Sequence, residues 1–240
     1  MKGKVMLVGL LVCFLSSAVL AMGGPAPSSS AGNQAGGAME GVFLIDDFES
    51  GSIRSPREWW TFDISQSEIV DNAELTFGNK EVAAQAGEYS FLLKGTANNW
   101  YAGGCGAYIA KEKQDLSKYN SFQLDIYGNG PGSGTLKIEL FDDDNKNWQA
   151  EQDPAQNYVP VYDDKYVYDV RVDWRGWKRV VIPFDDFVDD NAGVGDDAWN
   201  PQQAGGSGGL LQFQFICIGA KDSADINFNL DNVSLTESEE

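Results

Sequence analysis

The sequence predicts an all-β domain, a sandwich of two antiparallel sheets, and three observations carry that expectation. Apolar and polar residues alternate with period 2 through four segments of the chain. No twelve-residue window carries an apolar stripe at the 3.6-residue spacing of a helix. The alternating segments recur at short spacing, divided by Gly, Asn and Asp, which suits turns between strands. Two sheets that are apolar on one side bury those sides most simply against each other.

Ahead of the strands, Lys2 and Lys4 precede the apolar run "VMLVGLLVCFLSSAVLA", the layout of an export signal. "SAVLA" places cleavage after Ala21; an uncleaved anchor is the alternative reading of so long a run. Cys13 follows Val12 rather than a small residue, which argues against lipid attachment there. Residues 22–40, rich in Gly, Ala and Ser, cannot bury enough surface to offset their ordering entropy and read as a flexible tether. The sandwich is expected over residues 41–236, followed by an acidic tail at 237–240. The expected location is periplasmic or extracellular, with no membrane span in the mature chain.

The strand segments follow in order. "LIDDFESG" crowds Asp46, Asp47 and Glu49 around Phe48, which is expected in the core, with Asp46 left as solvated charge. "SFQLDIYGNG" sets Phe122, Leu124 and Ile126 against Gln123, Asp125 and Tyr127; "TLKIELFD" sets Leu136, Ile138 and Leu140 against Lys137, Glu139 and Phe141. "LLQFQFICIG" sets Phe213, Phe215 and Cys217 against Gln212 and Gln214, and "DINFNLDNVSL" continues the pattern with Ile226, Phe228 and Leu230. Trp177, Phe184 and Phe187 are expected in the core. "YGNGPGSGTL" is followed by another strand rather than a helix, so it reads as a hairpin connection and not a phosphate cradle. "AGGSGG" reads as a surface loop.

The polar sides of these strands are read as one face, carrying Gln123, Asp125, Tyr127, Lys137, Glu139, Phe141, Gln212 and Gln214. Aromatic rings beside amides and carboxylates suit a sugar, whose C–H faces pack on rings and whose hydroxyls pair with polar groups. Ordinary solvated strand sides remain the plainer account of any one of these positions.

Composition narrows the chemistry. The net charge is −19, and loss of Lys2 and Lys4 with the signal takes it to −21. Such a chain repels phosphate backbones, which argues against nucleic acid and anionic membranes and leaves neutral ligands and divalent cations. Histidine is absent, which removes Ser-His-Asp and Cys-His catalysis and His-ligated zinc. Cys105 and Cys217 survive cleavage; in an oxidising compartment they either pair or stay free, and sequence leaves that open.

"LIDDFESG", "AGEYSFLLKG", "NWYAGGCGAYI", "DLSKYNSFQLDIYGNG", "RGWKRVVIPFDDF" and "NLDNVSL", read in order from Gly41 to Leu235, resemble the family 11 carbohydrate-binding modules and the wider galactose-binding-like jelly rolls. The complex I intermediate-associated domain, with a similar "W…IPFDDF" strand, competes for the assignment. The resemblance implies a jelly roll that binds β-glucan on a concave sheet, usually beside a glycoside hydrolase. It implies structural calcium where first and last strands meet, with Asp47, Glu49 and Asp231 as ligands and backbone carbonyls from "QAGEYS", at Gly87 or Ser90. It nominates Trp60, Trp100 and Tyr101 at the rim of the cleft and Trp148, Gln212 and Gln214 within it, beside Asp125 and Tyr127 of the polar face. The family often places a histidine and a tyrosine where this chain has Gln212, Gln214 and Cys217. The insert "QNYVPVYDDKYVYDVRVDW", with Tyr158, Tyr162, Tyr166 and Tyr168, is a second departure.

Catalysis is the weakest reading. A glycosidase needs two carboxylates facing one bond. The acid pairs at 142–144, 163–164, 185–186, 189–190 and 196–197 are expected in loops, hydrated and ionised. "EQDPAQ" lacks the last acid of a glucanase motif, and "DDDNKN" begins like a calcium loop but has Lys146 where an oxygen is needed. A non-catalytic glycan-binding protein is therefore expected, free or docked on a hydrolase or envelope partner. An envelope protein-interaction module on the same fold is the alternative.

Overall fold

The computed structural model describes residues 41–109, 116–156, 158–201, 209–220 and 223–237. The expected export signal and tether, nearly all of "AGGSGG" and most of the expected acidic tail lie outside the described residues.

Two six-stranded antiparallel sheets form a jelly-roll sandwich. The first contains β1 (Val42–Asp46), β3 (Gln66–Asp71), β4 (Tyr89–Thr96), β6 (Ser121–Asn129), β11 (Arg175–Pro183) and β14 (Asp225–Thr236), in the order β11-β6-β14-β4-β3. The second contains β2 (Trp59–Phe62), β5 (Tyr101–Tyr108), β7 (Thr135–Asp142), β10 (Asp164–Arg171), β12 (Val188–Asp189) and β13 (Leu210–Ile218), in the order β12-β10-β7-β13-β5-β2. A small hairpin, β8 (Gln152–Asp153) with β9 (Val159–Pro160), stands between β7 and β10.

The predicted alternation survives on β6, β7 and β13 and along β14 as far as Leu230. Phe122, Leu124 and Ile126 of the first sheet and Leu136, Ile138, Leu140, Phe213 and Phe215 of the second are wholly buried between the layers. At one end of this core the Trp59 ring lies 5.4 Å from Phe48, 5.8 Å from Phe91, 5.3 Å from Phe213 and 5.9 Å from Phe215. Its indole Nε1 donates to Asp46 Oδ2 at 2.7 Å, and the Phe48 amide donates to Asp46 Oδ1 at 3.0 Å. Asp46 is therefore buried and structural rather than solvated charge. Burial pushes its carboxyl above the usual range, against the pull of those two donors. The bond joins β1 in the first sheet to β2 in the second.

The last strand pairs with the first, as expected: Val42 lies opposite Thr236 and Asp46 opposite Val233. The same edge of β14 pairs with β4 over Asp225 to Leu230. Between the two partners β14 bulges, with Asn232 at φ +47°.

Three expectations give way, and the open question of the cysteines closes. "YGNGPGSGTL" is not a hairpin, because β6 and β7 belong to different sheets and the turn carries the chain across the sandwich. A helix does form, α1 (Lys80–Gln85), capped by Asn79, whose side chain accepts from the amides of Glu81 and Val82. Six residues are too few to register in a twelve-residue window. Trp177 is buried, but with Tyr127, Val82 and Ala86 beneath α1, on the side of β11 opposite Val180 and Ile182. Cys105 and Cys217 are free, buried thiols. Cys105 faces Phe215 and Cys217 faces Gly103, so the two sit diagonally on neighbouring strands rather than opposite each other. Burial pushes the Cys217 thiol up to about 12 and the Cys105 thiol well up too, so both stay protonated.

Trp59→Phe keeps the ring in the core but leaves Asp46 Oδ2 without its donor. We predict a loss of about 1.5–3 kcal/mol, as for other hydrogen bonds to charged groups. A urea midpoint unchanged from wild type would show that the indole bond contributes nothing to stability.

Candidate functional site

The outer side of the second sheet gathers most of the predicted sugar-binding residues. Strand register lines up Trp60, Gly106, Gln214, Glu139 and Val167 across β2, β5, β13, β7 and β10. A neighbouring row holds Tyr108, Gln212, Phe141 and Lys165, and a third holds Phe62, Gly104, Ile216, Lys137 and Asp169. Gly104 and Gly106 matter here because they leave room for rings. A Cβ on Gly106 would lie 2.5 Å from Trp60 Cζ2, and one on Gly104 would lie 2.8 Å from Phe62 Cζ. The rings of Trp60 and Phe62 thus lie directly against the backbone of β5. Tyr108, 52 % exposed, stands beside Trp60 with ring centroids 5.1 Å apart.

The polar members differ in access. Gln214 and Glu139 are neighbours in the first row, both partly buried, with the Glu139 side chain 13 % exposed. Lys165 Nζ sits 3.8 Å from Glu139 Oε1 and 2.7 Å from Asp190 Oδ2. Burial raises the Glu139 carboxyl above its usual range, partly offset by Lys165. Gln212 reaches the right face but is only 3 % exposed, and Phe141 and Lys165 in its row are buried with it. That row lies beside the point where residues 143–163 leave β7, and it presents no open amide.

Trp148 belongs to that departing segment, at φ +67°. Its amide donates to Asp143 Oδ2 at 2.8 Å, and the Asn147 amide donates to Asp143 Oδ1 at 3.1 Å, so one buried aspartate fixes the turn. A cleft of about 440 Å³ lies between Trp148, Tyr108 and the Pro56–Glu58 segment, with Ile109 and Leu211 also lining it. Arg57 donates to the carbonyls of Ile45 at 3.1 Å and Tyr108 at 2.6 Å, which ties this rim to both sheets.

Trp100 and Tyr101 mark the other end of β5. Gly103, at φ +110°, bulges and shifts the phase, so that Tyr101 lies opposite Ile218 while Ala102 points to the core. Tyr101 donates its hydroxyl to Asp63 at 2.9 Å, and Trp100 is 60 % exposed, its ring 5.6 Å from that of Tyr101. From Tyr101 to Tyr108 the strand runs roughly 23 Å at about 3.3 Å per residue. Tyr158 of the insert is close enough to act electrostatically on the Tyr101 phenol, which burial already pushes up.

Asp125 and Tyr127 do not join this face. They lie on β6 in the first sheet, on its outer side beneath α1. Arg179 clamps Asp125 with two bonds of 2.8 Å, and Asn232 adds one of 3.0 Å. Tyr127 packs edge-on to Trp177 at 5.5 Å. Alternation identifies which residues share a side of one strand, but not which sheet the strand enters. Gln123 is displaced for the same reason. Tyr108 and Phe62 were missed, although Gly104 and Gly106, two residues apart and in phase with Tyr108, mark a strand side stripped for rings.

The acids divide between two places. Asp231, 1 % exposed, sits at the β14 bulge and accepts from the Asn232 amide at 2.7 Å, while its Oδ2 is buried with no donor. Burial pushes this carboxyl up to about 9, and Asp125, Glu49 and Asp47 press it the same way. Glu49 meets the expected turn, but through amides: Glu88 and Tyr89 donate to it at 2.9–3.1 Å. Gly87, at φ +59°, lies under that carboxylate with no space for a side chain. An orphaned buried oxygen facing two further carboxylates fits a hard cation, which takes about six to eight oxygen ligands. The Asp47, Glu49 and Asp231 oxygens are nonetheless not drawn within 4.8 Å of one another; among the described residues that spacing belongs to Asp142, Asp144 and Asp164.

That second place corrects the expectation of hydrated loop acids. Asp142, Asp143, Asp163 and Asp164 are wholly buried. Burial pushes Asp142 up to about 9, Asp163 to about 7 and Asp164 to about 6, with neighbouring carboxylates adding to each shift. Pairing of β7 with β10 sets Asp142 directly opposite Asp164, a long-range contact that short motifs do not reveal.

Gly106→Ala should cost about 1–3 kcal/mol, because the new Cβ meets both Trp60 and the Phe213 carbonyl. In a thermal-melt double-mutant cycle, Trp60→Ala must relieve part of that cost. Strict additivity would mean that the Trp60 ring does not lie on β5.

No family model matches the chain, and no curated protein matches it. Among solved structures, the family 11 carbohydrate-binding module of a cellulosomal cellulase of Clostridium thermocellum aligns over 83 % of this chain and 96 % of its own, at 17 % identity and a TM-score of 0.47. The Clostridium thermocellum family 11 module in complex with a β-1,3-1,4-mixed-linked tetrasaccharide aligns over 83 % and 98 %, at 17 % identity and 0.49. A family 22 xylan-binding domain from Paenibacillus barcinonensis aligns over 80 % and 98 %, at 14 % identity and 0.41.

Proposed function

We propose that the chain is a non-catalytic glycan-binding protein that takes a neutral polysaccharide or oligosaccharide along the outer side of the second sheet, with β-glucan the expected class. The observation that carries this reading is the row Trp60, Gly106, Gln214, Glu139, with Tyr108 beside it and Trp148 across the cleft. Flat rings offer an apolar platform, and an adjacent amide and carboxylate offer hydrogen bonds to hydroxyls. The net charge of −19 disfavours an anionic glycan. Support for a non-catalytic role comes from the burial of the acids at 142 and 163–164, which leaves Glu139 as the one carboxylate of the Trp60–Gln214 row. The export signal fits action outside the cytoplasm, alone or docked on a hydrolase.

Affinity electrophoresis against mixed-linked β-glucan and xylan tests this. Retardation of the wild type is expected, with at least a tenfold weaker effect for Trp60→Ala and for Gln214→Ala, and little change for Tyr127→Phe, which lies under α1. A tenfold loss corresponds to about 1.4 kcal/mol, within reach of one stacked ring. No retardation by any polysaccharide would sink the proposal and favour an envelope interaction module.

The reading includes a structural calcium ion on Asp231 with Asp47 and Glu49. An ion bound by the native state alone raises stability. The wild type should therefore melt lower in chelator, and Asp231→Asn should lose part of that calcium response. An identical response in the variant removes calcium from Asp231.

A further inference from the structure

We propose that Asp142, Asp144 and Asp164 form a second, separate site for a divalent cation of calcium type, where β7 ends and β10 begins. Their carboxylate oxygens all lie within 4.8 Å of one another. What distinguishes the trio from ordinary clustered acids is how each carboxylate is held. One oxygen of each is fixed by a backbone amide: Asn200 donates to Asp142 Oδ2 at 2.9 Å, Asp164 to Asp144 Oδ2 at 2.9 Å and Ala198 to Asp164 Oδ2 at 3.1 Å. The other oxygen, Oδ1 in all three, is buried and has no donor. Asp142 and Asp164 are 0 % exposed, so water does not answer for those atoms from outside.

Three carboxylates brought together inside a protein repel strongly once ionised, and either protons or a metal cation must relieve them. The nearby cation Lys165 is spent on Asp190 and Glu139. Gly195 closes the site at φ +78°, and a Cβ there would collide with Asp164 Oδ1 and Asp144 Oδ2. Only a residue without a side chain lets the loop come so near. The donors are oxygen only, since the chain has no histidine and both mature cysteines lie in the core. Oxygen donors at the end of β7, two residues beyond it and at the start of β10 suit calcium, which tolerates variable geometry, better than magnesium, which demands an octahedron and keeps its water. A bound ion would tie together the end of β7, the start of β10 and the loop reaching Trp199, whose ring lies 5.4 Å from Tyr166 and 4.8 Å from Phe184. Asp143, between two of the ligands, holds the Trp148 turn on the other side.

The site stands apart from Asp231, so its test uses Asp231→Asn protein, stripped with chelator and titrated with calcium chloride alone. Native mass spectrometry should retain one calcium per chain, and the melting temperature should rise by several degrees on adding calcium. Adding Asp142→Asn and Asp164→Asn should abolish both effects, and Asp144→Asn should weaken binding at least tenfold. In chelator the triple variant should melt no lower than its parent, because amides relieve the repulsion; this keeps a folding defect distinct from lost binding. Two results overturn the proposal: Asp231→Asn protein that neither retains calcium nor shifts its melt, and equal calcium retention with and without the Asp142 and Asp164 substitutions.

Discussion

The contact between the Trp59 indole and the Asp46 carboxylate governs how the rest of this sandwich is arranged. It crosses from one sheet to the other inside the core, where a carboxylate is tolerable only if donors meet it. The Phe48 amide supplies the second donor, which turns the chain through φ +56° and drives the Phe48 ring in beside Trp59. With residues 46 and 48 committed inward, Asp47 and Glu49 point away from the core towards the β14 bulge. Glu49 then settles on the amides of Glu88 and Tyr89, fixing the turn into β4. One buried bond thus sets the joint between sheets, the start of the jelly roll and the position of two acids.

A second constraint runs through the molecule: an acidic chain has folded several of its carboxylates inside. Where a cation or enough donors is at hand the charge is settled, as for Asp125 between Arg179 and Asn232, or Asp143 under the Trp148 turn. Where it is not, oxygens are stranded, one each at Asp231, Asp142, Asp144 and Asp164 and both at Asp163. The proposed cation sites draw on this contrast. It also separates the acids from the glycan question, since the open side of the second sheet offers rings, an amide and Glu139 instead.

Much of the fold was legible before any coordinates. The strands around Phe122, Ile138, Phe215 and Phe228 declare themselves because period-2 alternation is a local property, and burial on one side enforces it. The pairing of the first strand with the last is implied by the family resemblance rather than by periodicity, and the register of β1 on β14 shows it. The site was legible only in part. Trp60 and Gln214 share one face and Trp148 lines a cleft beside Tyr108, whereas Asp125 and Tyr127 belong to the opposite side of the sandwich, and Gln212 is covered. Asp46 looked like surface charge because nothing local reveals that a tryptophan thirteen positions later will donate to it.

What the sequence determined by itself was the class of the fold, the inward set of each strand, the absence of histidine chemistry and the excess of negative charge. These depend on residue type and short spacing, which one chain displays in full. Only the tertiary structure decided which sheet each strand joined, and so which polar sides share a surface. It also decided that the six residues after Asn79 cap one outer side as a helix, and that Asp142 and Asp164 face each other in the interior. Those outcomes rest on register between segments far apart in the chain, where a shift of one residue would turn every side chain over.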